Sequence, residues 1–280
     1  MNSIHVDAIV QKVADLCIEA NCCLGDDVVR ALRDAFARET SVLGRDALEQ
    51  ILENADIARR EGLPICQDTG LAVFFVEIGQ DVVIEGGELE EALHEGVRRG
   101  YQQGFLRQSV VDDPFLRRNT GDNTPAVIHM TICGGSALKI ILAPKGAGSE
   151  NMSALKMLSP SDGIEGVLEF VVETVNKAGG NPCPPVIIGV GVGGTMEKAC
   201  LLAKKALLRD TGQAHPEPRL AEIENEILSR VNRLGIGPAG YGGIVTALAV
   251  HLEVFPTHIA MLPVAVNINC HAARHRTLIL

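Results

Sequence analysis

Tryptophan is absent from the 280 residues and aromatic side chains make up 3%. That scarcity excludes no activity by itself. A second deficit excludes more: Lys and Arg number 25 against 35 Asp and Glu, a formal net charge of −10, and no basic stripe interrupts the imbalance. Nucleic-acid binding needs such a stripe, so that class is set aside. No apolar run reaches the ~20 residues of a membrane-spanning helix. The opening MNSIHVDAIVQKVADL carries Asp7 and Lys12 and has no hydrophobic signal core. The expectation is a cytoplasmic protein whose 8 cysteines form no structural disulfides. C-x-x-C pairs and H-E-x-x-H are also missing, so zinc ribbons, ferredoxin patterns and zinc hydrolases find no support.

Glycine, by contrast, is abundant. The 29 glycines cluster at Gly134–Gly135, Gly146–Gly148, Gly189–Gly194 and Gly240–Gly243, where the backbone must turn tightly or approach something closely. Apolar spacing predicts helices over 4–23, 26–38 and 44–61, the last ending at Gly62. LAVFFVEIG (71–79) reads as a strand, and the chain then passes through a second strand into a helix over 89–103. Residues 125–133 and 137–144 read as a β-hairpin joined through Gly134–Ser136. Ser161 and Asp162 can cap a helix running to about Lys177. A strand at 184–194, helices at 196–208 and 219–234 and a strand-rich C-terminal part complete the pattern. The fold class is α/β, with mixed β-sheets, surrounding helices and a helical region over 1–61 of a single 1–280 domain.

Cys17, Cys133 and Cys200 lie in apolar helix or strand patterns and read as buried, inert thiols. Cys22 and Cys23 are adjacent at a helix end, a poor arrangement for chelation. Cys66, Cys183 and Cys270 differ. They sit in PICQDTG (64–70), NPCPP (181–185) and NINC (267–270), where prolines or strand ends fix the direction of the thiol. That suits a metal ligand better than a packing residue. Asp68 also reads as a plain turn residue, Arg107 as a surface arginine and His258 as a core histidine. Gly189–Gly194 fits G-x-G-x-x-G between a strand and a helix, which keeps a dinucleotide-binding protein as a rival of another class. Asp210, however, follows the helix with no second strand to carry it to a ribose. A non-catalytic assembly subunit is a further rival.

Taken together, LPICQDTG (63–70), Leu106-Arg107, Asn119-Thr120-Gly121, KGAGS (145–149), Cys183-Pro184-Pro185, Gly193-Gly194-Thr195 and His258 twelve residues before Cys270 form an ordered set. In this the chain resembles the α subunit of two-subunit class I (iron–sulfur) fumarases and the related L-tartrate dehydratases, from about residue 50 to residue 274. The resemblance implies the N-terminal-domain type of iron–sulfur hydro-lyases. It implies a 4Fe–4S cluster held by Cys66, Cys183 and Cys270 with one open iron. It further implies dicarboxylate contacts from Gln67, Asp68, Arg107 and Gly148, and acid–base work by Asp68 paired with His258. Arg274 has a counterpart in the family without an assigned role. Single-chain members continue into a further domain, so the expected partner is a separate β subunit, in an α2β2 assembly, completing the site. Reversible hydration of fumarate to (S)-malate is the first expectation, and L-tartrate to oxaloacetate the second.

Overall fold

The structure, a computed structural model, describes residues 2–280. In chain order the helices are α1 (Val6–Cys22), α2 (Asp26–Arg38), α3 (Val42–Glu61), α4 (Leu89–Gln103), the single turn α5 (Ala147–Glu150), α6 (Gly163–Ala178), α7 (Met196–Ala206) and α8 (Pro218–Asn232). The strands are β1 (Asn2–His5), β2 (Leu71–Gly79), β3 (Val82–Glu85), β4 (Val127–Cys133), β5 (Leu138–Lys145), β6 (Ala154–Leu158), β7 (Val186–Gly193), β8 (Ala247–Phe255), β9 (Leu262–Asn269) and β10 (Arg276–Ile279). They fall into two compact units: Met1–Leu24, Ala55–Ala147 and Arg274–Leu280 form the first, Gly25–Asn54 and Gly148–Ala273 the second. The helical region over 1–61 is therefore shared out between both.

The first unit is built on a mixed four-stranded sheet in the order β10-β5-β2-β4. Val, Phe and Ile make β2 a good strand, and Ala72, Phe74 and Val76 join Leu138, Ile140 and Leu142 on one buried face. Helices α1 and α4 cover that face. Ile9, Val13 and Leu16 recur at helical spacing, as do Leu93, Val97 and Tyr101, giving each helix one apolar stripe. A short strand, β1, precedes α1 where the sequence reads as helix, and pairs in parallel with β3.

One expectation fails here. Residues 125–133 and 137–144 do not form a hairpin, because β2 lies between them, parallel to β4 and antiparallel to β5. The Gly134–Ser136 segment wraps the end of β2, with Gly79 donating to the Ala137 carbonyl and Asp81 to that of Gly135. The physical reason is hydrophobicity on both faces: Val73, Phe74, Phe75 and Val76 of β2 are all buried, whereas Met130 and Ile132 of β4 remain exposed. The more apolar strand takes the centre and the other the edge.

The second unit is a three-layer arrangement around a mixed sheet in the order β6-β9-β7-β8. On one face, Val167, Val171 and Val175 of α6 and Leu220, Ile227 and Val231 of α8 pack against Ile188, Val190, Leu252 and Val266. On the other, Ala199 and Ala203 of α7 meet Ala265. The close approach of α7 explains the glycine run. A Cβ on Gly189 would lie 2.1 Å from the Ala203 carbonyl oxygen, and one on Gly191 would lie 2.1 Å from that of Ala199. These glycines serve helix–sheet packing, and α8 rather than a strand is the next regular element after Asp210. The dinucleotide reading thereby loses its footing. Glu39, only 2% exposed, closes the end of α2 by accepting backbone N–H groups from Thr40, Ser41, Ile244 and Val245.

Cys17 is fully buried, and burial pushes its thiol far up, as an inert cysteine requires. Cys133 and Cys200 correct the expectation: both are exposed. Cys133 ends the edge strand β4, and Cys200 lies on α7 between the buried positions Ala199 and Leu202.

Candidate active site

In the first unit, antiparallel pairing of Leu71 with Lys145 brings the start of β2 beside the end of β5, and so PICQDTG beside the Lys145-Gly146-Ala147 turn. Asp68 joins them: its Oδ1 accepts the Gly70 N–H at 3.0 Å and its Oδ2 accepts the Ala147 N–H at 2.8 Å. The plain turn role is thus real, and it leaves the carboxylate anchored at both oxygens. Gly70, at φ +78°, sits where any Cβ would fall within 3.0 Å of the Lys145 backbone. The Cys66 sulfur accepts the Asp68 N–H at 3.4 Å and contacts Oε1 of the exposed Gln67 at 3.3 Å.

The loop's own polar groups are tied down. The Tyr101 hydroxyl donates to the Thr69 and Gly70 carbonyls at 2.8 and 3.0 Å, and Asn123 adds a bond to Gly70 at 3.2 Å. Ile65 donates to the Asn21 carbonyl at 2.9 Å. Arg274, 4% exposed, donates to the Asp68 carbonyl at 2.8 Å and to Asn21 Oδ1 at 3.1 Å. The Thr69 hydroxyl donates to the Arg107 carbonyl at 2.8 Å, which fixes Arg107 beside the loop. The Arg107 side chain is exposed and makes no ion pair among the described residues, so its fork is open to an external anion.

In the second unit, Ile187 pairs with Asn269, so Cys183 ahead of β7 and Cys270 after β9 emerge at the same end of the sheet. His271 links the two loops, its Nδ1 2.9 Å from the Cys183 carbonyl oxygen. Because a carbonyl only accepts, the proton is on Nδ1. Cys183 has φ +55°, and the Ala239 N–H braces the next residue by donating to the Pro184 carbonyl at 2.8 Å. Leu43, Asp46, Gln50, Asn54, Tyr241 and His271 surround a cavity of about 530 Å³ at which Cys183 also lies. Gly148 is exposed, with nothing within 4 Å of where a Cβ would stand. His258 is exposed too, which removes the core-histidine reading. Its Nδ1 accepts the Ala260 N–H at 3.2 Å, and its neighbour Thr257 is bonded to the Gly194 carbonyl at 2.8 Å.

Among the described residues, no group of three or more His, Cys, Asp or Glu side chains stands ready-made to hold a metal ion. The expected cluster ligands nevertheless suit the task chemically. Cys66, Cys183 and Cys270 are outside any disulfide, each is at least partly accessible, and each sits on a loop at a strand end. Sequence reading missed the supporting residues Asn21, Tyr101, Asn123 and His271, which carry no motif of their own. The bracing loop that contains Ala239 was signalled by its glycine run.

Fold and loops together define an α/β protein whose first unit carries a thiol, an amide, a carboxylate and an exposed guanidinium on hydrogen-bonded segments. The chain belongs to the fumarate hydratase (Fumerase) family, whose model matches residues 10–279. It is 45% identical over 268 residues to a Methanocaldococcus jannaschii protein provisionally named as an L(+)-tartrate dehydratase subunit alpha, covering 94% of each chain. It is 35% identical over 277 residues to L(+)-tartrate dehydratase subunit alpha of Escherichia coli strain K12, covering 98% of this chain and 91% of that one. The same protein of Shigella sonnei matches to the same extent.

Proposed function

We propose that this chain is the α subunit of a 4Fe–4S hydro-lyase that dehydrates L-tartrate to oxaloacetate, with a β subunit completing the site. The observation that carries the reading is the PICQDTG loop, which holds a thiol, Gln67 and Asp68 together and is bonded to the segment of Arg107. The names of the relatives favour tartrate over fumarate, reversing the order that the motifs alone suggest.

Cys66, Cys183 and Cys270 would hold the cluster, which when bound supplies a Lewis-acidic iron with an open coordination position. Elimination removes a proton from one carbon of tartrate and hydroxide from its neighbour, leaving an enol that rearranges to oxaloacetate. Arg107 pairs with a substrate carboxylate in a two-pronged fork, a geometry that Lys does not reproduce. Gln67 orients a carboxylate by hydrogen bonds, and the bare backbone at Gly148 gives amide groups access to the anion. Asp68 and His258 carry protons near the reacting atoms, the remaining acid–base group belonging to the β subunit.

The test is an anaerobic assay of the reconstituted α/β complex on both tartrate enantiomers, malate and fumarate. Fastest turnover of L-tartrate is expected. Faster turnover of malate or fumarate would favour fumarate/(S)-malate hydration, and no dehydration or hydration at all would overturn the hydro-lyase reading.

A further inference from the structure

Arg274 is a buried cation that makes no ion pair among the described residues. It is 4% exposed, yet its guanidinium binds only neutral acceptors, the Asn21 side chain and the Asp68 carbonyl. Its Nε has no hydrogen-bond partner among the described residues. Its field reaches the Cys22 thiol and the Tyr101 phenol, but burial pushes both of these up, so they stay neutral near pH 7 and supply no negative charge. A charge taken out of water is costly unless an anion compensates it. The contacts also show where that charge is directed: Arg274 grips the backbone of the residue between Gln67 and Thr69. Asn21 is 0% exposed and is itself held by donating to the Cys17 carbonyl at 3.0 Å, so Arg274 has a rigid base in α1.

We propose that Arg274 is a positioning residue of the dicarboxylate site. Its fork fixes the Gln67–Asp68 turn against α1, and its charge, in no ion pair among the described residues, attracts the dianion that this turn receives. The inference rests on the dicarboxylate reading above, but its positioning half stands on the loop geometry alone.

The experiment compares Arg274→Gln with Arg274→Lys in the α/β complex, reading KM and kcat for L-tartrate and amide hydrogen exchange at residues 65–70 without substrate. Lysine keeps the charge and loses the fork, whereas glutamine loses both. Exchange at Ile65 and Gly70 should accelerate roughly 10-fold in both variants, as the loss of a charged hydrogen bond implies. KM should rise roughly 10-fold in Arg274→Gln and stay within about 3-fold in Arg274→Lys, with kcat changing less than KM in both. Equal KM in the two variants removes the charge role, and unchanged exchange removes the positioning role. If Arg274→Gln does not fold, wild-type exchange in Arg274→Lys still overturns the proposal. If the wild-type complex turns over no dicarboxylate, the functional reading and the charge role fall together, and exchange alone decides positioning.

Discussion

Arg107 is held by its backbone while its side chain stays open. Thr69 holds its carbonyl, and the guanidinium is left exposed without an ion pair among the described residues. Arg107→Lys should keep the charge and lose the fork, raising KM for the dicarboxylate roughly 10-fold with little change in melting temperature. Steady-state kinetics on the α/β complex check this, and an unchanged KM would release Arg107 from the site. Cys183 makes a different kind of test. It is exposed in a loop braced through Pro184, so Cys183→Ser removes a thiol without opening a core cavity. The variant should retain its circular dichroism while losing the brown iron–sulfur absorbance and the activity. Full activity would strike Cys183 from the ligand set. Neither role is visible in a single residue type; what made both legible was their place in an ordered run of motifs. Arg274 had a family counterpart but no role, because its neighbours Asn21 and Asp68 lie far from it in sequence.

At the scale of elements, the contact between α7 and β7 depends on two missing side chains. Gly191→Ala would place a methyl 2.1 Å from the Ala199 carbonyl oxygen, so α7 must move away from the sheet. A loss of about 1–3 kcal/mol or more is expected from such overpacking, measurable by urea unfolding. The Glu39 junction makes a pH prediction. Burial alone would raise its carboxyl, but the N–H groups of Ser41, Ile244, Val245 and Thr40 outweigh that and hold it below the usual carboxylate range. A lowered folded value means that the carboxylate stabilises the fold above the unfolded value, about 4.3. That contribution is lost as pH falls below it toward the folded value. Glu39→Ala should therefore cost about 1–3 kcal/mol near pH 7, and the gap from wild type should narrow in acid; a gap that stays constant with pH would refute the role. The sequence displayed most of these elements but not their order in the sheet. The β4–β5 hairpin was a sound reading of local turn chemistry, and it failed because β2 has apolar residues on both faces and competes for the central place.

For the whole molecule, the proposed function assigns part of the site to a β subunit. If the partner subunit completes it, neither separated subunit should turn over tartrate, and mixing them anaerobically should restore activity. Iron and sulfide analysis of the α subunit prepared without oxygen should find the cluster there. Air should bleach the visible absorbance and abolish activity together, since an iron open to solvent is readily lost. Days of stability in air would count against the cluster.

The sequence by itself determined the helices, most strands, the thiol-bearing loops and the family, because periodicity and short motifs are properties of neighbouring residues. It also showed that glycines mark close approaches. Only the tertiary structure decided which approach each glycine serves, which strand takes the centre of the sheet, and which cysteines are covered. It alone revealed that a buried arginine, in no ion pair among the described residues, stands behind the Cys66–Asp68 turn. These are outcomes of competition among distant segments for the same buried space and the same hydrogen-bond partners, and no local stretch encodes who wins.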